Sequence, residues 1–247
     1  MCTVTVVPTP ETVRLACNRD ELRSRPPALH PRIQQFGDRS AILPIDPISG
    51  GTWVAVNDTG LVMTLLNVNQ EQTKKETKAP SLSRGTIIPG LLHCDTLASV
   101  LPLATALEAS RYGPFRLVLA SRKELAELWS DGCHVRLMSP KQIAAPLLFT
   151  SSGLGDRLVE EPRRGLFAEF FSQPGDLVAR QQEFHRHYWP RRPHLSVCMR
   201  REEARTVSHT AVSLGRDSVA LMYHPDSPDQ FAKTLTVTFP IAAGGNL

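Results

Sequence analysis

The chain has 247 residues, 41% of them hydrophobic and 21% charged, with 28 basic against 24 acidic side chains and a formal charge of +4. That composition fits one globular domain over residues 1–247, and no apolar run nears the ~20 residues of a bilayer-spanning helix. Five cysteines without a Cys-x-x-Cys pair disfavour a disulfide framework and a Cys-only zinc site.

The first residues carry neither a basic start nor a long apolar stretch, so a reduced, soluble, cytoplasmic protein is expected. Arginines are scattered and aromatics make up only 6%, which does not suit nucleic-acid binding.

In chain order, Thr3–Val7 and Val13–Cys17 read as a hairpin turning through Pro8-Thr9-Pro10-Glu11. The polar, Pro- and Arg-rich stretch from Asn18 to Asp46 reads as a long irregular excursion. Thr52–Val56 and Leu61–Leu66 predict a second hairpin, with Gly60 able to supply a positive φ. Lys74, Lys75, Glu76 and Lys78 form a charged loop. Apolar spacing from Asp95 to Ala109 predicts a helix interrupted by Pro102, with Asp95 or Thr96 as N-cap. Phe115–Ala120, Val135–Met138 and Leu147–Thr150 read as strands, Gly165–Ser172 and Leu177–Tyr188 as helices. Thr206–Leu214, Ser218–Tyr223 and Leu235–Phe239 read as strands again. Hairpin-linked strands with segregated helices point to α+β, and no glycine-rich phosphate loop supports a nucleotide-binding fold.

Cys2 opens the first strand. Removal of Met1 before so small a side chain would expose a thiol and an α-amine on one residue. The amine, with an ordinary pKa of ~8, is suited to general-base work and the thiol to nucleophilic attack. A cysteine at position 2 with no role is the other reading. Cys17-Asn18-Arg19-Asp20-Glu21 follows the partner strand, so Asp20 could hold a protonated Cys2 amine and Arg19 could stabilise a thiolate. An internally ion-paired turn would look the same. Asn67 closes an apolar strand, where its amide suits a developing oxyanion, or simply begins the next turn.

Met1-Cys2-Thr3, Ala16-Cys17-Asn18-Arg19-Asp20-Glu21 and Gly50-Gly51-Thr52-Trp53, in that order, resemble the NRDE family, the transport and Golgi organisation protein 2 homologues. The likeness is strong over residues 1 to about 70. That family is in turn similar to the N-terminal-nucleophile hydrolases of the penicillin V acylase and bile-salt hydrolase group. The resemblance implies a four-layer αββα sandwich and a hydrolase acting on linear amide bonds, or an acyltransferase, with a small amide or acyl ligand. It implies Cys2 as nucleophile, Asp20 orienting the amine, and Asn67 in the oxyanion hole. Arg205 is the match for a final-sheet arginine, though a strand-edge charge is equally consistent. Asn18, Arg19, Asn57 and Ser151 are implied at the ligand, Ser151 standing where the acylases have a second oxyanion-hole asparagine. One lost donor of that kind is worth ~3 kcal/mol in the transition state.

The same resemblance keeps open a non-enzymatic carrier of haem or an acyl lipid. His185, His187 and His194 invite a haem or metal reading, but a two-residue offset on a helix separates the first two faces. No metal site is expected, and Cys94, Cys133 and Cys198 read as buried packing residues. The specificity loops are expected in Asn18–Asp46 and Val68–Pro89; oligomeric state has no signature in the sequence.

Overall fold

The computed structural model describes residues 2–69, 80–230 and 232–242; the charged loop at Lys74, Lys75, Glu76 and Lys78, and with it part of the Val68–Pro89 segment, lies outside them, as does Met1. The described chain forms thirteen strands in two antiparallel sheets.

The first sheet contains β1 (Cys2–Pro8), β2 (Val13–Leu22), β10 (Leu147–Thr150), β11 (Ala204–Leu214), β12 (Ser218–His224) and β13 (Leu235–Pro240), ordered β10-β1-β2-β11-β12-β13. The second runs in chain order through β3 (Leu29–Phe36), β4 (Arg39–Ile45), β5 (Val54–Asn57), β6 (Val62–Asn67), β7 (Phe115–Ala120), β8 (Glu124–Ser130) and β9 (Val135–Gln142).

Alternation along the strands decides the layering. In β1, Cys2, Val4 and Val6 point into a core between the sheets, where they meet Val54, Val56, Leu66 and Val118 of the second sheet. The outer face of the second sheet, with Leu43, Met63, Leu117 and Leu128, is covered by α1 (Ile87–Leu91) and α2 (Leu97–Thr105). The outer face of the first carries α3 (Asp156–Phe171) and α4 (Leu177–Arg186), with Leu166, Phe184 and Val197 in a small apolar cluster. Four layers, αββα, result.

Thr96 caps α2 in a reciprocal capping box with Ser99. Gly60 takes φ +80° in the turn between β5 and β6, a conformation that favours glycine.

Several expected boundaries are corrected. Asn18–Asp46 is not an irregular excursion, because β2 runs on to Leu22 and the hairpin β3–β4 follows. Asn18, Arg19, Asp20 and Glu21 therefore lie within a strand rather than after it. β3 ends one edge of its sheet and is mostly exposed, so it carries Pro31 without losing a needed ladder bond and shows no apolar alternation. β8 was not expected, and α3 begins at Asp156 rather than Gly165. Cys133 is exposed, in a turn where Asp131 accepts its N–H.

Candidate active site

The hairpin β1–β2 places Cys2 directly opposite Arg19. On its other side Cys2 is tied to Ser151, just past β10: the Ser151 N–H donates to the Cys2 carbonyl (2.9 Å), and the Cys2 N–H donates to Ser151 Oγ (3.1 Å). Cys2 is buried, and its side chain lines a cavity of about 370 Å³ together with Arg19, Asp20, Trp53, Asn67 and Arg84. Thus three of the expected catalytic residues, Cys2, Asp20 and Asn67, share one cavity.

The Cys2 thiol is held below its ordinary pKa, chiefly because the Cys17 thiol donates a hydrogen bond to it; burial works the other way. The same bond, with burial, pushes Cys17 up. Shared protons between adjacent thiols favour one thiolate at the other's expense.

Asp20 is 1% exposed, and Thr206 Oγ1 donates to its carboxylate at 2.6 Å. Burial raises its pKa, opposed first by the Arg163 cation and then by the Thr206 bond. The β2–β11 register shifts between Thr206 and Ser208, an irregularity beside this carboxylate of the sort that re-aims side chains near sites.

Arg163, which acts on Asp20 without lining the cavity, was not among the expected residues. It lies 1% exposed under β1, donating to Thr3 Oγ1 (2.8 Å), Thr150 Oγ1 (2.7 Å), Leu195 O (2.9 Å) and Ser196 O (2.8 Å). A signal existed: Val159, Arg163 and Leu166 share the buried stripe of α3, where a charge must have work to do.

Arg19 lies 4.4 Å over the Trp53 ring and bonds Asp46 at 3.0 Å, while Arg25 bonds the same carboxylate at 2.6 Å. Burial resists ionisation of Asp46, but Arg25 and the Ile48 N–H together hold its pKa down. The Trp53 Nε1–H is buried without a partner among the described residues. Asn67, at the end of β6 opposite Phe115, has a half-buried amide with no protein hydrogen bond among the described residues.

Thr52 and Trp53, the end of the Gly-Gly-Thr-Trp run, line one wall. A Cβ on Gly51 would sit 2.3 Å from the Gly85 carbonyl carbon. The two backbones touch, the Thr52 N–H reaches Gly85 O at 2.9 Å, and Arg84 is drawn to the cavity rim, where it also donates to Pro114 O at 2.9 Å.

Other expected site residues lie elsewhere. Arg205 pairs with Asp226 and does not line the cavity. Asn57 is fully buried, donating to Leu92 O and Cys94 O and accepting from Leu61 N–H and Thr59 Oγ1. Asn18 faces the helical layer, donating to His185 O and Val197 O. Ser151 contacts the Cys2 nitrogen rather than the cavity.

His185 does not fit a haem ligand: it is fully buried, with Nε2 on Thr5 Oγ1 (2.8 Å) and Nδ1 on Asn18 Oδ1 (3.0 Å), so neither nitrogen is free for iron. His187 packs edge-on to Trp189 and Phe170. Among the described residues there is no group of three or more metal-ligating side chains, and no helix long and apolar enough to cross a membrane.

Residues 1–160 match the family described as Transport and Golgi organisation 2. No curated protein matches the chain. Similar solved structures include a mutant conjugated bile acid hydrolase from Clostridium perfringens, 12% identical, covering 96% of this chain and 92% of that one at TM-score 0.53. The Caenorhabditis elegans ortholog of N-acylethanolamine-hydrolyzing acid amidase is 13% identical, covering 93% and 94% at TM-score 0.53. Penicillin V acylase from Agrobacterium tumefaciens is 14% identical over 90% and 82%, at TM-score 0.49. At such identities the likeness is one of fold, that of the N-terminal-nucleophile hydrolases.

Proposed function

The chain belongs to the Transport and Golgi organisation 2 family, and from that premise we propose that it is a cysteine-nucleophile amidohydrolase or acyltransferase acting on a small amide or acyl ligand through Cys2. The observation that carries this reading is the convergence of Cys2, Asp20 and Asn67 on one cavity. The two structural relatives at TM-score 0.53 are both hydrolases by name.

In the proposed reaction Met1 is removed, and the Cys2 nitrogen becomes an amine with Ser151 Oγ already beside it. The amine takes the thiol proton while the sulfur attacks the acyl carbon. The carbonyl electrons move to oxygen, where the Asn67 amide donates. The amine returns the proton to the departing nitrogen, leaving a thioester on Cys2. Water, deprotonated by the same amine, then releases the acid; an acceptor alcohol or amine in its place gives acyl transfer. Ser151 has the geometry to orient the amine, so this reading has one side-chain oxyanion donor, Asn67, and calls for a reactive or slowly turned-over substrate.

Intact-mass and peptide analysis after exposure to p-nitrophenyl butyrate tests the reading. Expected are loss of Met1 and a hydroxylamine-labile butyryl group on Cys2, absent from Cys2→Ser. Retained Met1, or equal acylation of both proteins, sinks it. Saturable ligand binding with no Cys2 adduct would favour the carrier alternative instead.

A further inference from the structure

A second cavity, of about 300 Å³, opens on the helix-covered face of the first sheet. Arg14 and Arg19 are both on β2 but five positions apart, so their side chains leave opposite faces, one toward α4 and one toward the Cys2 cavity. The walls of the second cavity carry Arg14, Arg186 at the end of α4, His209 on β11 and His224 on β12, and no carboxylate among the described residues.

Neither arginine forms an ion pair among the described residues. Arg14 is 5% exposed, and the one hydrogen bond of its guanidinium among the described residues goes to the neutral Gln181 Oε1 at 2.7 Å. Asp176 acts on it only from a distance, its carboxylate being committed to the Val178 and Ala179 N–H groups at the start of α4. Burial lowers the Arg14 pKa to about 10, which leaves it charged at neutral pH. Arg186 donates through Nε to Pro228 O at 3.0 Å and forms no ion pair among the described residues. A guanidinium that is nine-tenths buried without an anion is uncommon, because desolvation of a charge is normally offset by a partner.

The histidines add direction. Both amide hydrogens of Asn18 are spent on the His185 and Val197 carbonyls, so its Oδ1 must accept from Nδ1 of His185 (3.0 Å) and of His209 (2.8 Å). His209 therefore carries its proton on Nδ1, leaving Nε2 an acceptor without a hydrogen-bond partner among the described residues, on a ring that lines the cavity. Burial and the nearby Arg14 depress its pKa to about 3, so it stays neutral. His224 Nε2 donates to Ser227 O and Gln230 O, both at 3.1 Å.

We propose that this cavity binds a small phosphate monoester, its phosphoryl oxygens between Arg14 and Arg186 and a hydroxyl or N–H of its organic part donating to His209 Nε2. Two guanidiniums with no ion pair among the described residues match a dianion; a carboxylate would neutralise only one of them. Guanidinium forks suit phosphate geometry, and the cavity admits the ester together with a compact organic group.

Calorimetric titration of the full chain with phenyl phosphate, inorganic phosphate and acetate at fixed ionic strength provides the test. Expected is saturable, one-to-one binding of phenyl phosphate, tighter than acetate and weakened about tenfold or more in Arg186→Gln. Arg186 is exposed, so that variant folds even if Arg14→Gln does not. Absence of saturable binding below about 10 mM, equal affinity for acetate, or affinity unchanged in Arg186→Gln would overturn the proposal. So would loss of binding in Arg84→Gln but not Arg186→Gln, which puts the anion in the Cys2 cavity. Co-sedimentation with phosphatidate vesicles but no response to phenyl phosphate would assign the site to a lipid headgroup and refute a soluble ester.

Discussion

Replacing Arg163 with methionine keeps an unbranched apolar stem, shorter than arginine, and removes the charge and all its donors. Two hydroxyls, on Thr3 and Thr150, and two carbonyls, of Leu195 and Ser196, lose their bonds. Asp20, 1% exposed, loses the cation that most favours its ionised form. Removing one member of a buried charge pair typically costs about 3–5 kcal/mol. At about 2 °C per kcal/mol for a chain of this size, Tm should fall by roughly 6–10 °C. Adding Asp20→Asn should recover part of that loss, because the uncompensated carboxylate is gone. The pH dependence has a definite sign. Asp20 titrates above the ordinary carboxyl range when folded, so the folded state holds its proton more tightly and stability falls as pH rises through that window. Arg163→Met raises the folded pKa further and should extend the fall toward neutral pH. Urea unfolding of wild type, the two single variants and the double variant, across pH 4 to about 8, measures all of this. Losses that add to within about 0.5 kcal/mol would refute the coupling.

Three further outcomes follow from particular contacts. Cys17→Ala removes the donor that lowers the Cys2 pKa, so alkylation of Cys2 by iodoacetamide, followed by peptide mass, should need a higher pH; an unchanged pH–rate profile counts against the thiol pair. Gly51→Ala drives a methyl into the Gly85 backbone, where no flexible side chain can yield, and should cost about 3 kcal/mol in chemical denaturation while displacing the Arg84 loop; near-wild-type stability would contradict the close approach. His209 is neutral when folded down to about pH 3, whereas the unfolded chain binds its proton near 6.5, so stability should fall as pH drops through that interval, by up to about 1.4 kcal/mol per pH unit. His209→Gln, which keeps the fold of the amide-linked network, should flatten that slope in acid-unfolding curves, and an unaltered slope would show the histidine to be protonated in the native state.

What the sequence made readable depended on whether burial left a pattern. β1, β5, β6 and β7 are β-branched or apolar runs because both their faces are covered, by the opposite sheet and by helices. β3 is an edge strand with mostly exposed side chains, so its composition resembles a loop. α1 spans five residues and includes Pro89 and Gly90, too short for a period to show. Among the polar residues the difficulty is of another kind. Asn18, Asn57 and Asn67 carry the same amide, yet the first two satisfy buried carbonyls and only the third lines the Cys2 cavity. Spacing could nominate all three but could not separate an amide that holds backbone from one that faces ligand.

Strand register explains why the candidate chemistry gathers at one sheet face. Cys2 is clamped between Arg19 on β2 and Ser151 beside β10, with its thiol in the inter-sheet layer and the flanking Thr3 hydroxyl turned toward Arg163 in the helical layer. A slip of one residue would exchange those faces, setting a threonine in the cavity and the thiol against a buried guanidinium. Arg14, Asn18 and Thr5 make that slip unfavourable, since each is bonded on the helical side to a specific partner, Gln181 or His185. The buried polar network under the first sheet thus specifies register more than it adds stability. Because Asn18 leaves β2 on that helical side while Arg19 leaves on the other, one strand supplies both the network that fixes the register and the cation that faces the cysteine.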